Sequence, residues 1–81
     1  MQINVPVTVY VVLLAHRQPE GSTPDVLHEF LGVVTSSADA VPLINQVVDN
    51  CEVGPLTQRS ETYATAAIDD NRAGFVYKVV L

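Results

Sequence analysis

Apolar and polar residues alternate in two different rhythms along this chain, and the change of rhythm marks its elements. In Val7-Thr-Val-Tyr-Val-Val-Leu-Leu-Ala15, β-branched and aromatic residues fill both alternating sets of positions, the mark of a strand buried on both faces or central in a sheet. Pro6 suits the start of that strand, where a missing donor costs least. Residues 16–25 then gather two prolines, a glycine and short polar side chains, which is turn chemistry over about ten residues. Residues 26–35, Val-Leu-His-Glu-Phe-Leu-Gly-Val-Val-Thr, can be read in two ways. Thr23, Pro24, Asp25 and Gly32 are placed to start and stop a short helix. A strand carries Val33-Val34-Thr35 without a break and closes a hairpin onto the first strand; the strand is the reading taken.

Helical spacing replaces alternation after Ser36 and Ser37, two N-cap candidates. Ala40, Val41, Ile44, Val47, Val48 and Cys51 recur as one apolar stripe, which predicts a helix over roughly 38–50 with Asn50 as a left-handed terminator. Pro42 is tolerated only within the first turn or so, where its absent N–H has no intrahelical partner, and this places the helix start close to residues 37–39. Gly54-Pro55 opens a loop expected to run to about Ser60. Alternation returns in residues 61–68 and 75–81, joined by a turn at 69–74. The order ββαββ predicts an α+β fold: a small antiparallel sheet with one amphipathic helix on one face, and a single domain over residues 1–81. One helix can cover only one of the two apolar sets of the first strand. The other face is expected to seek a partner, most simply by sheet-to-sheet dimerisation.

At 81 residues the chain has room for only one hydrophobic core. It is 48% hydrophobic and 16% charged, an apolar balance for so small a body, and disorder is excluded on the same ground. The formal charge of −5 rests on nine acids against Arg17, Arg59, Arg72 and Lys78, which form no basic stripe. Duplex nucleic acid is therefore a poor partner, since clustered cations supply most of that affinity. Adjacent acids occur only at Asp69-Asp70, too few for an acidic mimic of nucleic acid. A lone cysteine permits no intramolecular disulfide and no cysteine-based zinc site. The apolar run from Val5 to Ala15 is too short for a membrane span and lacks the basic start of a secretory signal. A cytoplasmic location with no membrane contact is the expectation.

The strand ending Glu29-Phe-Leu-Gly-Val-Val-Thr-Ser-Ser37, handed to an Ala-containing amphipathic helix behind an N-terminal Val-Tyr-Val-Val strand, resembles small uncharacterised phage and bacterial ββαβ proteins over residues 9–50. The chain departs from that pattern in Pro42, in the few charges of its helix and in a second C-terminal strand. The resemblance implies a fold and a phage-like setting, and it carries no activity and no functional residues.

Candidate chemistry is sparse. Cys51 with His16 or His28 has the residue types of a thiolate and its base, but Cys51 falls on the apolar helix stripe as a small buried hydrophobe, His28 reads as a sheet residue and His16 as the start of a loop. Asp69-Asp70-Asn71 lacks the further carboxylates of a calcium loop. The glycines form no phosphate-binding pattern. No catalytic residue, metal site or cofactor is expected. The leading functional expectation is a non-catalytic interaction protein, a phage-encoded modulator or inhibitor of a host or defence protein, with a protein partner, host or self, and a homo-dimer or higher oligomer as its state. The first alternative is a homo-oligomeric binder of a nucleotide-like signal, with Arg17, Arg59 or Arg72 on the phosphate and Tyr63 or Tyr77 on the base. The second is a small dimeric α+β-barrel enzyme, which lacks an evident acid–base pair.

Overall fold

The computed structural model describes residues 6–48 and 53–81. Its chain order is β1 (Thr8–Arg17), β2 (Val26–Val34), a 3-10 turn (Ser37–Asp39), α1 (Ala40–Val47), β3 (Leu56–Gln58), β4 (Tyr63–Ala67) and β5 (Arg72–Val80). All five strands join one antiparallel sheet in the order β2-β1-β5-β4-β3. The fold is α+β, as the alternating rhythms require, and β1 is an interior strand, paired along its length with β2 on one side and β5 on the other.

Residues 26–34 form a strand, and the helix signals around Thr23 and Pro24 are spent on a turn instead. Gln18 N–H donates to the Asp25 carbonyl at 2.7 Å, closing the β1–β2 loop, and Gly21 takes a φ of 89° inside it. A left-handed φ of this kind is open to glycine at little cost. The β1–β2 register shifts by one residue between Val12 and Leu13, opposite Leu31. This bulge lets Leu31 turn toward the helix, while Phe30 and His28 stay on the other face.

Four boundaries differ from the sequence reading. The connecting loop at 54–60 contains the short edge strand β3, whose three residues pair with Ala64–Ala66; a run so short leaves no period to detect. β1 continues through His16 and Arg17, so His16 is a strand residue rather than the start of the loop. β5 begins at Arg72, which places Gly74 inside a strand instead of in the turn. The helix is also shorter than expected: Ser36 Oγ accepts from Ala38 N–H at 3.3 Å, a 3-10 turn follows, and eight α-helical residues end at Val47. Pro42 is the third of them, inside the first turn, where its missing donor is harmless. Asn50 and Cys51 lie outside the described residues.

The helix lies on the face that carries Tyr10, Val12 and Leu14 of β1 and Val76 of β5. Val12, Leu14, Ala40, Ile44, Val48, Ala66 and Val76 form the buried core. Val47, expected on the covering stripe, is 43% exposed, and Leu43 packs against the core in its place. Ala40, Leu43, Ile44 and Val48 stand at i, i+3, i+4 and i+8, one face of a 3.6-residue turn, and Val47 lies at its edge. Two strand glycines make room for the two inward helix residues. A Cβ at Gly74 would lie 2.5 Å from Ile44 Cδ1, and one at Gly32 would lie 3.1 Å from Leu43 Cδ2. Close helix-to-sheet approach is a common reason for glycine within a strand.

Candidate interaction surface

Residues opposite one another in an antiparallel sheet share a face, so the strand registers sort every side chain to the helix side or the open side. Three cross-sheet rows make up the open side. The first runs Val33–Val11–Tyr77–Tyr63, the second Phe30–Leu13–Phe75–Thr65–Thr57, and the third His28–Ala15–Ala73–Ala67. Val9 and Val79 extend the face past the first row. No segment of the described chain covers these rows. Phe30 is 62% and Val33 52% exposed, although both belong to strands that pair well.

Aromatic rings run through the middle of this face. Tyr63 and Tyr77 lie with ring centroids 5.6 Å apart, Phe75 and Tyr77 at 6.1 Å, and His28 meets Phe75 edge-on at 6.1 Å. Mutual ring contact of this sort adds about 0.5–1.5 kcal/mol per pair beyond the burial of area.

The charges sort by face as well. Glu29 stands on the helix side of β2, opposite Leu14 and 3.4 Å from His16 Nε2. Glu61 borders a cleft of about 270 Å³ on the same side, with Tyr10 and Lys78. Among the described residues, no strand position of the open face is acidic, in a chain whose formal charge is −5.

The five residues singled out for a ligand are divided by the fold. Tyr63 and Tyr77 share the first row, and Arg59 joins them: its backbone N–H donates to the Tyr63 carbonyl at 3.1 Å and its Nε to Thr65 Oγ1 at 2.9 Å. Arg17 and Arg72 lie at the opposite end of the sheet. The Arg17 N–H donates to the Asn71 carbonyl, and from there to Tyr77 is six residues of strand, about 20 Å at 3.3 Å per residue. Of the three arginines, only Arg59 can reach a ligand on the tyrosine pair. Phe30, Leu13 and Phe75 were not among the expected site residues. Their alternation is visible in sequence, but membership of one row depends on strand order and on the β2 bulge.

At the far end, Arg72 closes the β4–β5 turn on Asp69. Its Nε and Nη2 lie 2.8 and 2.7 Å from Asp69 Oδ2, and Oδ1 accepts from Asn71 N–H at 2.8 Å. The Arg72 bond first, and the Asn71 amide after it, hold the Asp69 carboxyl below its ordinary value of 3.8. A carboxyl whose pKa is lower in the folded chain stabilises the fold above the unfolded value, and that contribution disappears as pH falls through the folded one. Acid titration of stability below about pH 4 is therefore expected to be shallower in Asp69→Asn than in the wild type, followed by circular dichroism melts. An equally steep loss in both would assign the acid sensitivity to other carboxylates.

Among the described residues, no three His, Cys, Asp or Glu side chains are grouped to hold a metal ion, and no helix is long and apolar enough to cross a membrane. Cys51, expected as a small buried hydrophobe on the helix stripe, lies outside the described residues. Comparison with protein-family models, with curated proteins and with solved structures finds no match for this chain.

Proposed function

We propose that this chain is a non-catalytic interaction protein, in its narrower form a phage-encoded modulator of a host or defence protein, which acts by binding and occluding its target. The observation that carries this reading is the placement of exposed apolar side chains. Of the eight large hydrophobic residues that stand exposed among the described residues, Val26, Leu27, Phe30 and Val33 all belong to β2. Among the described residues, β2 is also an edge of the sheet, nine residues long and paired only with β1. An edge strand offers unpaired N–H and C=O groups as a template for an added strand, and natural proteins usually blunt such edges with charge, proline or cover. Here the single acid is Glu29, which pairs with His16. Strand addition by a target would gain affinity from the backbone and specificity from the alternating side chains.

Capture from lysate of the natural host at physiological salt tests this. The wild type is expected to retain a stoichiometric protein, and Leu27→Glu, which places a charge on the helix side of the edge without touching the core, is expected to lose it. Recovery of no stoichiometric partner would count against the reading. A second reading, a nucleotide-like ligand, draws support from the Arg59–Tyr63–Tyr77 grouping alone. Native mass spectrometry of the same sample separates the two, because a retained small-molecule mass lost on Arg59→Ala belongs only to the second.

A further inference from the structure

We infer that the open face of the sheet is a self-association surface, and that it packs on the same face of a second copy about a two-fold axis parallel to the strands, between β1 and β5. This goes beyond the functional reading, which concerns the β2 edge: such a dimer covers Phe30 and Val33 of that strand but leaves its edge backbone and Leu27 free.

Three observations favour a second copy as the occupant. The first is area. β1 and β5 pair over nine positions and β2 is as long, about 30 Å at 3.3 Å per residue, while the five residues of β4 span about 17 Å. At 4.8 Å strand spacing each copy then contributes about 500 Å² in projection, so two reach about 1,000 Å², the size a specific interface with good complementarity has to clear. The second is charge. Two chains of formal charge −5 repel one another, and the open face is the approach on which no strand position is acidic, which leaves the repelling groups outermost.

The third is relief, and it fixes the axis. The β2 side of the middle row ends in Phe30, 62% exposed, while its β4 side holds only Thr65. An axis parallel to the strands reverses the strand order of the second sheet seen from the first, so Phe30 of each copy lies over Thr65 of the other and Leu13 over Phe75. An axis across the strands would instead stack Phe30 on Phe30 and leave a gap over Thr65. Sheets packed face to face keep strand directions within about 30° and stand about 10 Å apart, and large against small fills that space evenly.

Light scattering on the purified chain is expected to give about twice the 8.8 kDa of one copy, and Phe75→Glu is expected to give one copy while keeping the far-ultraviolet spectrum of the wild type. Geometry is read separately in a Cys51→Ser background, where no expected contact depends on a charged substitution being tolerated. Phe30→Cys with Thr65→Cys is expected to form a covalent dimer with a short bis-maleimide, and either cysteine alone to form little. A single-copy mass for the wild type at its highest soluble concentration would overturn the inference. So would an unchanged dimer in Phe75→Glu, efficient coupling by Phe30→Cys alone, or anisotropy showing single-stranded DNA bound by the wild type and released by Phe75→Glu. Failure here is distinguishable from failure of the functional reading: a monomer that still captures a host protein removes only the dimer, and a dimer that captures none removes only the target.

Discussion

Ile44→Ala is expected to lower the stability of this protein by about 2–5 kcal/mol, the range for removing a fully buried branched side chain and leaving its space unfilled. Ile44 is 0% exposed and is among the three largest side chains to be completely enclosed, with Leu14 and Val12. It joins both layers of the fold: the helix supplies it, and it lies in one buried cluster with Val12, Leu14, Ala66 and Val76 of the sheet. A domain of this length has roughly 4–12 kcal/mol of total stability at 0.05–0.15 kcal/mol per residue. The substitution therefore removes a large share, and the melting temperature should fall by at least about 8 °C at 4–8 °C per kcal/mol. Val47→Ala is the matched control on the same helix. Val47 is 43% exposed, and its loss should cost well under half as much. Equal effects at the two positions, measured by urea denaturation, would mean that the helix does not present Ile44 to the sheet.

Gly74→Ala is expected to cost about 1–3 kcal/mol, the usual penalty for forcing an extra carbon into a filled core. Two effects oppose one another here. Alanine reduces the freedom of the unfolded chain and by that route stabilises by about 0.4–1 kcal/mol. Its Cβ would lie 2.5 Å from Ile44 Cδ1, a separation that forces movement, and Ile44 is enclosed on every side. The clash therefore wins. Ile44→Val removes the δ-methyl and should relieve it, so Gly74→Ala with Ile44→Val should be less destabilised than the sum of the two single changes. Strict additivity in the double-mutant cycle would show that the two residues do not meet. At Gly32 the corresponding separation is 3.1 Å to the end of the Leu43 side chain. Leu43 is only partly buried and can yield, so Gly32→Ala should be the milder change.

The Gly74–Ile44 contact also shows where local reading of the chain stops. Each residue was visible: Ile44 as a member of a helical stripe, Gly74 as a residue near a turn. Their meeting was not, because it joins positions thirty residues apart through the pairing of β5 with β1 and the seating of the helix. The same holds for the candidate surface. Tyr63 and Tyr77 were singled out and do share a row, whereas Arg17 and Arg72 were grouped with them and lie about six strand residues away. Residue type predicted which side chains could act together, and only the register decided which of them do.

Alternation over residues 7–15 by itself predicted a strand apolar on both faces, either buried on both or inside the sheet, since a strand of period two with no polar set has no side to give to water. Strand pairing made it an interior strand. The helical stripe from Ala40 to Val48 and the tolerance of Pro42 in a first turn were likewise local matters of spacing and of unpaired N–H groups. The three-residue strand β3, the bulge at Leu31 and the inward turn of Leu43 in place of Val47 came from the tertiary structure. A bulge moves the side chains on one side of it to the opposite face of the partner strand without changing composition. That one shift puts Phe30 and His28 beside Leu13 and Ala15 on the open face, and it completes the aromatic surface that the apolar rhythm of β1 already required something to cover.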